Sequence, residues 1–154
     1  ELYIVQRANK AENPFLFDKT VGGHVSSGES FDQTIIRESK EELGIELELH
    51  SSFDYPYRLQ EVNLKEKAIA KLVNFELWYP SLRQVKDGEP WIKRAQLAAY
   101  IGHYDGSVKF DDGEALSLQL LPKEQLWKDL EDHPEKYTAD LQWWVKNYHT
   151  YFWS

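Results

Sequence analysis

Apolar and polar positions recur along the chain with two different periods, and the changes of period mark out its elements. Leu2-Tyr3-Ile4-Val5 followed by Gln6-Arg7 reads as a buried strand emerging into a polar loop, Ala8 to Asn13, closed by Pro14. Phe15-Leu16-Phe17 and Val21 flank a turn expected at Asp18-Lys19-Thr20, ahead of Gly22-Gly23. A second loop, His24 to Glu29, ends at Ser30, where helix signals gather. Ser30 with Gln33 three residues on is a capping-box pattern. Ile35, Ile36, Ser39 and Leu43 follow at helical spacing, and Gly44 is placed to end the helix. Ile45, Leu47 and Leu49 then alternate with Glu46, Glu48 and His50, which predicts a half-buried strand. A further extended stretch is expected through Phe53, Tyr55 and Tyr57.

The middle of the chain supports both periods. Leu64 to Phe75 fits a helix through Ala68, Ile69, Leu72 and Val73, whereas Val73-Phe75-Leu77-Tyr79 alternates like a strand; helix is the expectation. Pro80, Asp87-Gly88 and Pro90 punctuate a loop. Ala95 to Tyr104 predicts a strand ending at the Asp105-Gly106 turn, and Val108 to Phe110 continues it. An acidic loop, Asp111-Asp112-Gly113-Glu114, leads into a strand from Leu116 to Leu121. Pro122 opens a helix running to about Asp132. The last helix carries Leu141, Trp144, Val145, Tyr148 and Phe152 along one side. With no repeat, low-complexity tract or linker, this mixture predicts one α/β (α+β) domain over residues 1–154. The chain starts at Glu1 directly on an apolar alternation, so a missing N-terminal strand belongs to that expectation.

Composition narrows the function classes. The chain has 154 residues, large enough for a hydrophobic core, and 42% of them are hydrophobic, which argues against disorder. Its 26 Asp+Glu exceed its 18 Lys+Arg, and no basic block supplies the footprint of a nucleic-acid binder. Cys is absent, which excludes disulfides, thiolate metal sites and a cysteine nucleophile. No apolar run approaches the ~20 residues of a membrane helix, and no signal-peptide pattern opens the chain. A soluble, cytoplasmic domain with neither membrane nor nucleic-acid partners is the expectation.

The chemistry concentrates between Gly23 and Ile45. Glu38, Glu41 and Glu42 fall within an arc of roughly 100° on a helix. Like charges so placed repel, by about 0.2–0.5 kcal/mol per pair, and need either open water or a cation. Mg²⁺ prefers carboxylate oxygens and is commonly shared with substrate phosphates. The Gly22-Gly23 turn leads into a loop closing on the same helix, where backbone can approach a metal or phosphate. Glu29 and Arg37 suit an ion pair tying loop to helix. Glutamate-rich helices are more often plain solvated faces, and the loop, the glycines and Glu29 are what tilt the balance.

The segment resembles the Nudix hydrolase signature. Gly23, Glu29, Arg37, Glu38, Glu41, Glu42, Gly44 and Ile45 are all in register with it, and Ser39 stands where the pattern prefers an apolar residue. The resemblance implies an α/β/α sandwich around a mixed sheet, with the signature as a loop–helix–loop. It implies hydrolysis of a nucleoside diphosphate linked to another moiety, at the pyrophosphate bond, with Mg²⁺ or Mn²⁺ as cofactor. Carried over, Glu38, Glu41 and Glu42 are metal ligands, with the Gly22 carbonyl as an extra one. Arg37 and Glu29 are the orienting pair, and Gly23 and Gly44 are structural. A further carboxylate serves as base in many members; Glu114 is the candidate here, with Asp112 in reserve and Glu41 as the alternative within the signature. The Gln6-Arg7 loop, Phe17-Asp18 before Gly22-Gly23, and Pro134 to Thr138 resemble the isopentenyl-diphosphate isomerase-like branch. Common isomerases of that branch use a catalytic cysteine, which this chain lacks. Prenyl-diphosphate isomerisation and a non-catalytic ligand-binding Nudix module are therefore the alternatives to hydrolysis.

Other residues carry weaker signals. Arg7 is a candidate for a substrate phosphate, equally placed as a surface residue after a strand. His24 lies in the signature loop, where an exposed His without a role is the commoner case. Trp143, Trp144, Tyr148, Tyr151, Phe152 and Trp153 are expected mainly in the core, with stacking on a base and a homodimer surface as the other uses of so many aromatics.

Overall fold

The structure is a computed structural model that describes residues 1–110 and 113–152. Six strands and four helices follow one another along it: β1 (Leu2–Arg7), β2 (Phe17–Lys19), α1 (Phe31–Leu43), β3 (Leu47–Leu49), α2 (Tyr55–Glu61), β4 (Ala68–Arg83), β5 (Trp91–His103), β6 (Ala115–Leu121), α3 (Lys123–Asp132) and α4 (Ala139–Phe152). The strands form two three-stranded sheets, in the orders β2-β1-β6 and β3-β4-β5. β1 pairs antiparallel with β2 and β6, while β3 pairs parallel with β4. Mixed strand directions interleaved with helices bear out the α+β reading.

The chain divides into two compact units, each assembled from separated segments. The first contains residues 1–20, 80–95 and 113–154. Its core joins Ile4 of β1, Leu126 of α3, Tyr137, and Leu141 and Val145 of α4, with Leu2, Phe17 and Leu121 packed against them. Leu141, Trp144, Val145 and Tyr148 are all buried, so the apolar side of the last helix packs inward. The second unit contains residues 21–79 and 96–112. Leu43, Ile45 and Ala68 form its apolar cluster, with Val21, Leu47, Tyr104, Val108 and Phe110 around them.

The end signals of α1 operate as its sequence predicts. Ser30 accepts from Gln33 N, and Gln33 Oε1 accepts from Ser30 N, completing the capping box. Gly44 takes φ 67°, left-handed; its N–H donates to Lys40 O at 3.0 Å, and Ile45 N donates to Ser39 O at 3.2 Å. Ser39 is buried and its hydroxyl donates to Ile35 O at 2.7 Å, so a polar group is accommodated on the packed side of the helix. Ile36, expected on that side, is exposed, and Thr34 is buried instead.

Four expectations give way. The expected helix from Leu64 to Phe75 is the start of the long strand β4, whose first residues Ala68-Ile69-Ala70 are buried together beside β3. Tyr55 and Tyr57 belong to helix α2 and not to an extended stretch: Asp54 N donates to Ser51 Oγ at 3.1 Å, and Pro56 sits in the first turn, where its missing N–H costs nothing. The turn expected at Asp18-Lys19-Thr20 overlaps strand β2, because Asp18 is buried and paired opposite Val5. Val108 to Phe110 form no strand; they lie in irregular chain and pack on the second unit's apolar cluster.

Candidate functional site

The loop from Gly22 to Glu29 and helix α1 lie within the second unit, and their side chains interlock around Arg37. Arg37 Nε donates to Glu29 Oε1 at 2.8 Å and Nη2 to Glu29 Oε2 at 3.0 Å, a two-point grip between loop and helix. Nη2 also reaches the His24 carbonyl at 3.3 Å. The remaining nitrogen, Nη1, donates to Glu38 Oε1 at 2.8 Å and Glu41 Oε2 at 2.9 Å. One guanidinium thus touches three carboxylates, and its bonds to Glu29, then to Glu38 and Glu41, raise its already high pKa further.

Glu29 accepts two more bonds, from the Thr34 hydroxyl at 2.9 Å and from Ser26 N at 3.2 Å. The bonds from Arg37 first, then Thr34, hold its carboxyl down at about 2, well below its ordinary 4.5. The Gly22-Gly23 turn meets the helix directly. Gly22 N donates to Glu42 Oε2 at 3.3 Å. A Cβ at Gly23 would fall inside contact distance of the Glu38 carboxylate and its Cγ, so only glycine lets that carboxylate lie against the turn. Glu38 is largely covered, with 14% of its side chain exposed, whereas Glu41 is 56% exposed.

Gly22, Gly23, Glu29, Arg37, Glu38, Glu41, Glu42 and Gly44 are therefore brought together as one loop–helix element. Among the described residues, no three His, Asp or Glu side chains converge as a metal-holding group. The donor chemistry still suits a hard dication, since it consists of carboxylate oxygens beside a glycine turn. Glu38 and Glu41 converge on a single nitrogen, Arg37 Nη1, and the arginine cation takes the place between them.

The other candidates belong to the first unit. Glu114 Oε1 lies 2.8 Å from Lys10 Nζ on the surface. Arg7 Nη1 lies 3.3 Å from the buried Asp18, and its Nη2 reaches Glu12 O at 3.4 Å. Asp112 and Trp153 lie outside the described residues. The aromatic run of α4 includes the buried pair Trp144 and Tyr148, with ring centroids 4.6 Å apart, as a core role requires.

Two residues of the site carry little or no sequence signal of their own. Thr34, buried beneath the loop, bonds Glu29; Tyr100 of β5 donates to Asp32 Oδ1 in the first turn of α1 at 2.5 Å. A Thr in a helix interior, one turn after the cap and on the packed side, was the available hint for the first.

Comparison with known proteins places this loop–helix in a family. The crystal structure of DR0079 from Deinococcus radiodurans is similar at a TM-score of 0.59 and 20% identity, covering 94% of this chain and 72% of that one, a likeness of fold. A search of curated proteins found no match. Among the described residues, no helix is long and apolar enough to cross a membrane. The model of the NUDIX domain matches residues 1–141, a match to the family as a whole that singles out no branch. With that match spanning most of its length and the signature acids gathered around one arginine, the chain belongs to the NUDIX domain family.

Proposed function

We propose that this chain is a Mg²⁺- or Mn²⁺-dependent hydrolase cleaving the pyrophosphate bond of a nucleoside diphosphate linked to another moiety. The observation that carries the reading is the meeting of the acids with the glycine turn: Glu42 on Gly22 N, and Glu38 in the space a Gly23 Cβ would fill. Glu38, Glu41, Glu42 and the Gly22 carbonyl would hold the metal. When bound, such an ion neutralises the diphosphate and lowers the pKa of a coordinated water.

The chain's own residues divide the remaining work. Glu29 and Arg37 fix the loop on the helix, so the glycine turn and the acids keep their spacing. Glu41, the most exposed of the three acids on Arg37, is the proposed base, able to take a proton from water. Glu114 is the alternative base. Arg7 is engaged by Asp18 and the Glu12 carbonyl, which supports a structural role for it over substrate binding.

The test is a panel of nucleoside diphosphates, dinucleotides, ADP-ribose, nucleotide sugars and prenyl diphosphates with Mg²⁺. Release of phosphate or nucleotide is expected, and Glu41→Gln or Glu42→Gln should lower it by about 10²–10⁴-fold. Glu114→Gln in the same series assigns the base: full rate leaves it with Glu41, and a comparable loss moves it to Glu114. Turnover of no compound, or activity untouched by Glu41→Gln and Glu42→Gln, overturns the reading. Conversion of a prenyl diphosphate to its isomer without hydrolysis would replace it.

A further inference from the structure

Thr34 is 5% exposed and sits one turn into α1, four residues before Glu38. Its hydroxyl lies 2.9 Å from Glu29 Oε2 and 3.0 Å from Ser30 O. A hydroxyl carries one proton, and the charged acceptor is the stronger of the two. Glu29 Oε2 is also the oxygen that Arg37 Nη2 holds at 3.0 Å. Thr34 and Arg37, three positions apart on α1, therefore grip the same carboxylate oxygen.

Arg37 is divided between two sets of acids. Nε and Nη2 face Glu29, while Nη1 faces Glu38 and Glu41. The guanidinium is planar, so these directions are fixed relative to one another. Where its charge rests depends on how firmly Glu29 is held. A Glu29 carboxylate that slackens gives up its share of Arg37 to Glu38 and Glu41.

We propose that Thr34 is a positioning residue: by fixing Glu29 it keeps Arg37 Nε and Nη2 on the loop side, so that only Nη1 competes with a metal for Glu38 and Glu41. The second half of the proposal rests on the metal-site reading above; the first half does not. Thr34→Val keeps the shape of the side chain and removes the hydroxyl, and Thr34→Ser keeps the hydroxyl and removes the methyl.

Exchange of the Arg37 Nε–H with water, followed by NMR without metal, reads the first half. Thr34→Val should speed it by about tenfold and Thr34→Ser should restore it. Mn²⁺ titration by calorimetry reads the second half: Thr34→Val should weaken binding by about tenfold, with Thr34→Ser close to the parent chain. A Thr34 that merely fills space predicts lowered thermal stability with neither readout moved, and that result overturns the proposal. So does exchange that is slow in Thr34→Val, or fast in both variants. Absence of Mn²⁺ binding by the parent chain would sink the metal-site reading and the second half with it, while the exchange rates still decide whether Thr34 positions Arg37.

Discussion

The Arg37 guanidinium holds the Glu29 carboxylate at two points, 2.8 Å from Nε and 3.0 Å from Nη2. Bonded first by Arg37 and then by Thr34, the carboxyl has a pKa of about 2 in the folded chain against an ordinary 4.5. A depressed folded value means that the pair's stabilisation is complete above 4.5 and is lost as pH falls towards about 2. Unfolding by urea, measured for the parent chain and Glu29→Gln, should therefore show a gap at neutral pH that closes across this window. A gap that persists unchanged at the acid end would show that Glu29 stabilises by packing and not by charge.

Gly23 makes a sharper demand on the site than on the fold. The turn is exposed, but an added Cβ would collide with the Glu38 carboxylate that Arg37 holds in place. Gly23→Ala should leave thermal unfolding nearly unchanged and displace Glu38. Turnover is expected to fall on the order of 10²-fold, the scale of a misplacement of about 1 Å in a reacting site. Parent-like turnover in Gly23→Ala would mean that Glu38 need not lie against the turn.

How much of this was legible in the sequence depends on where each signal resides. The two ends of helix α1 are legible, since Ser30, Gln33 and Gly44 are local signals, whereas its packed side is not fully so, with Ile36 exposed and Thr34 buried. The spacing of Glu38, Glu41 and Glu42 is local too. The start of β4 is not legible as a strand because Ala68-Ile69-Ala70 is buried on both faces beside β3, and such a segment has no alternation to display. The later alternation from Val73 to Tyr79 was the better guide. In α2 the two tyrosines suggest an extended chain, while Ser51, Asp54 and Pro56, the residues that start the helix, are the better guide. Thr34 has only its place inside α1 to mark it and Tyr100 has nothing, because the bond that gives each its role joins it to a residue chosen by folding.

Asp18 shows the same dependence on distant partners. Burial alone would raise its pKa, yet Lys19, the Thr138 hydroxyl and Arg7 together hold it below the ordinary carboxylate range. Thr138 Oγ1 donates to Asp18 at 2.8 Å and accepts from Leu141 N at 3.1 Å, so the carboxylate reaches the start of α4 through it. Asp18→Asn keeps the size and removes the charge that Arg7 and Lys19 require. Breaking a buried pair in this way costs about 3–5 kcal/mol, and a loss of that order in unfolding free energy is expected. A loss below about 1 kcal/mol, the scale of an exposed pair, would mean that water screens this cluster.

Gly44 isolates the cost of ending α1. Its φ of 67° is left-handed, and the nearest atom to an added Cβ, Lys109 Cβ, lies at an ordinary 3.6 Å. Space is therefore available, and the penalty for Ala is conformational, about 1–2 kcal/mol. Asn tolerates the left-handed region better than Ala, so the order of stability in urea should be Gly44, then Gly44→Asn, then Gly44→Ala. Because the acids lie in the last two turns of the helix, fraying at this end reaches Glu42 and Glu41 first. Gly44→Ala should thus weaken Mn²⁺ binding more than Gly44→Asn does. Equal stability of all three chains would show that the helix ends without needing the left-handed turn.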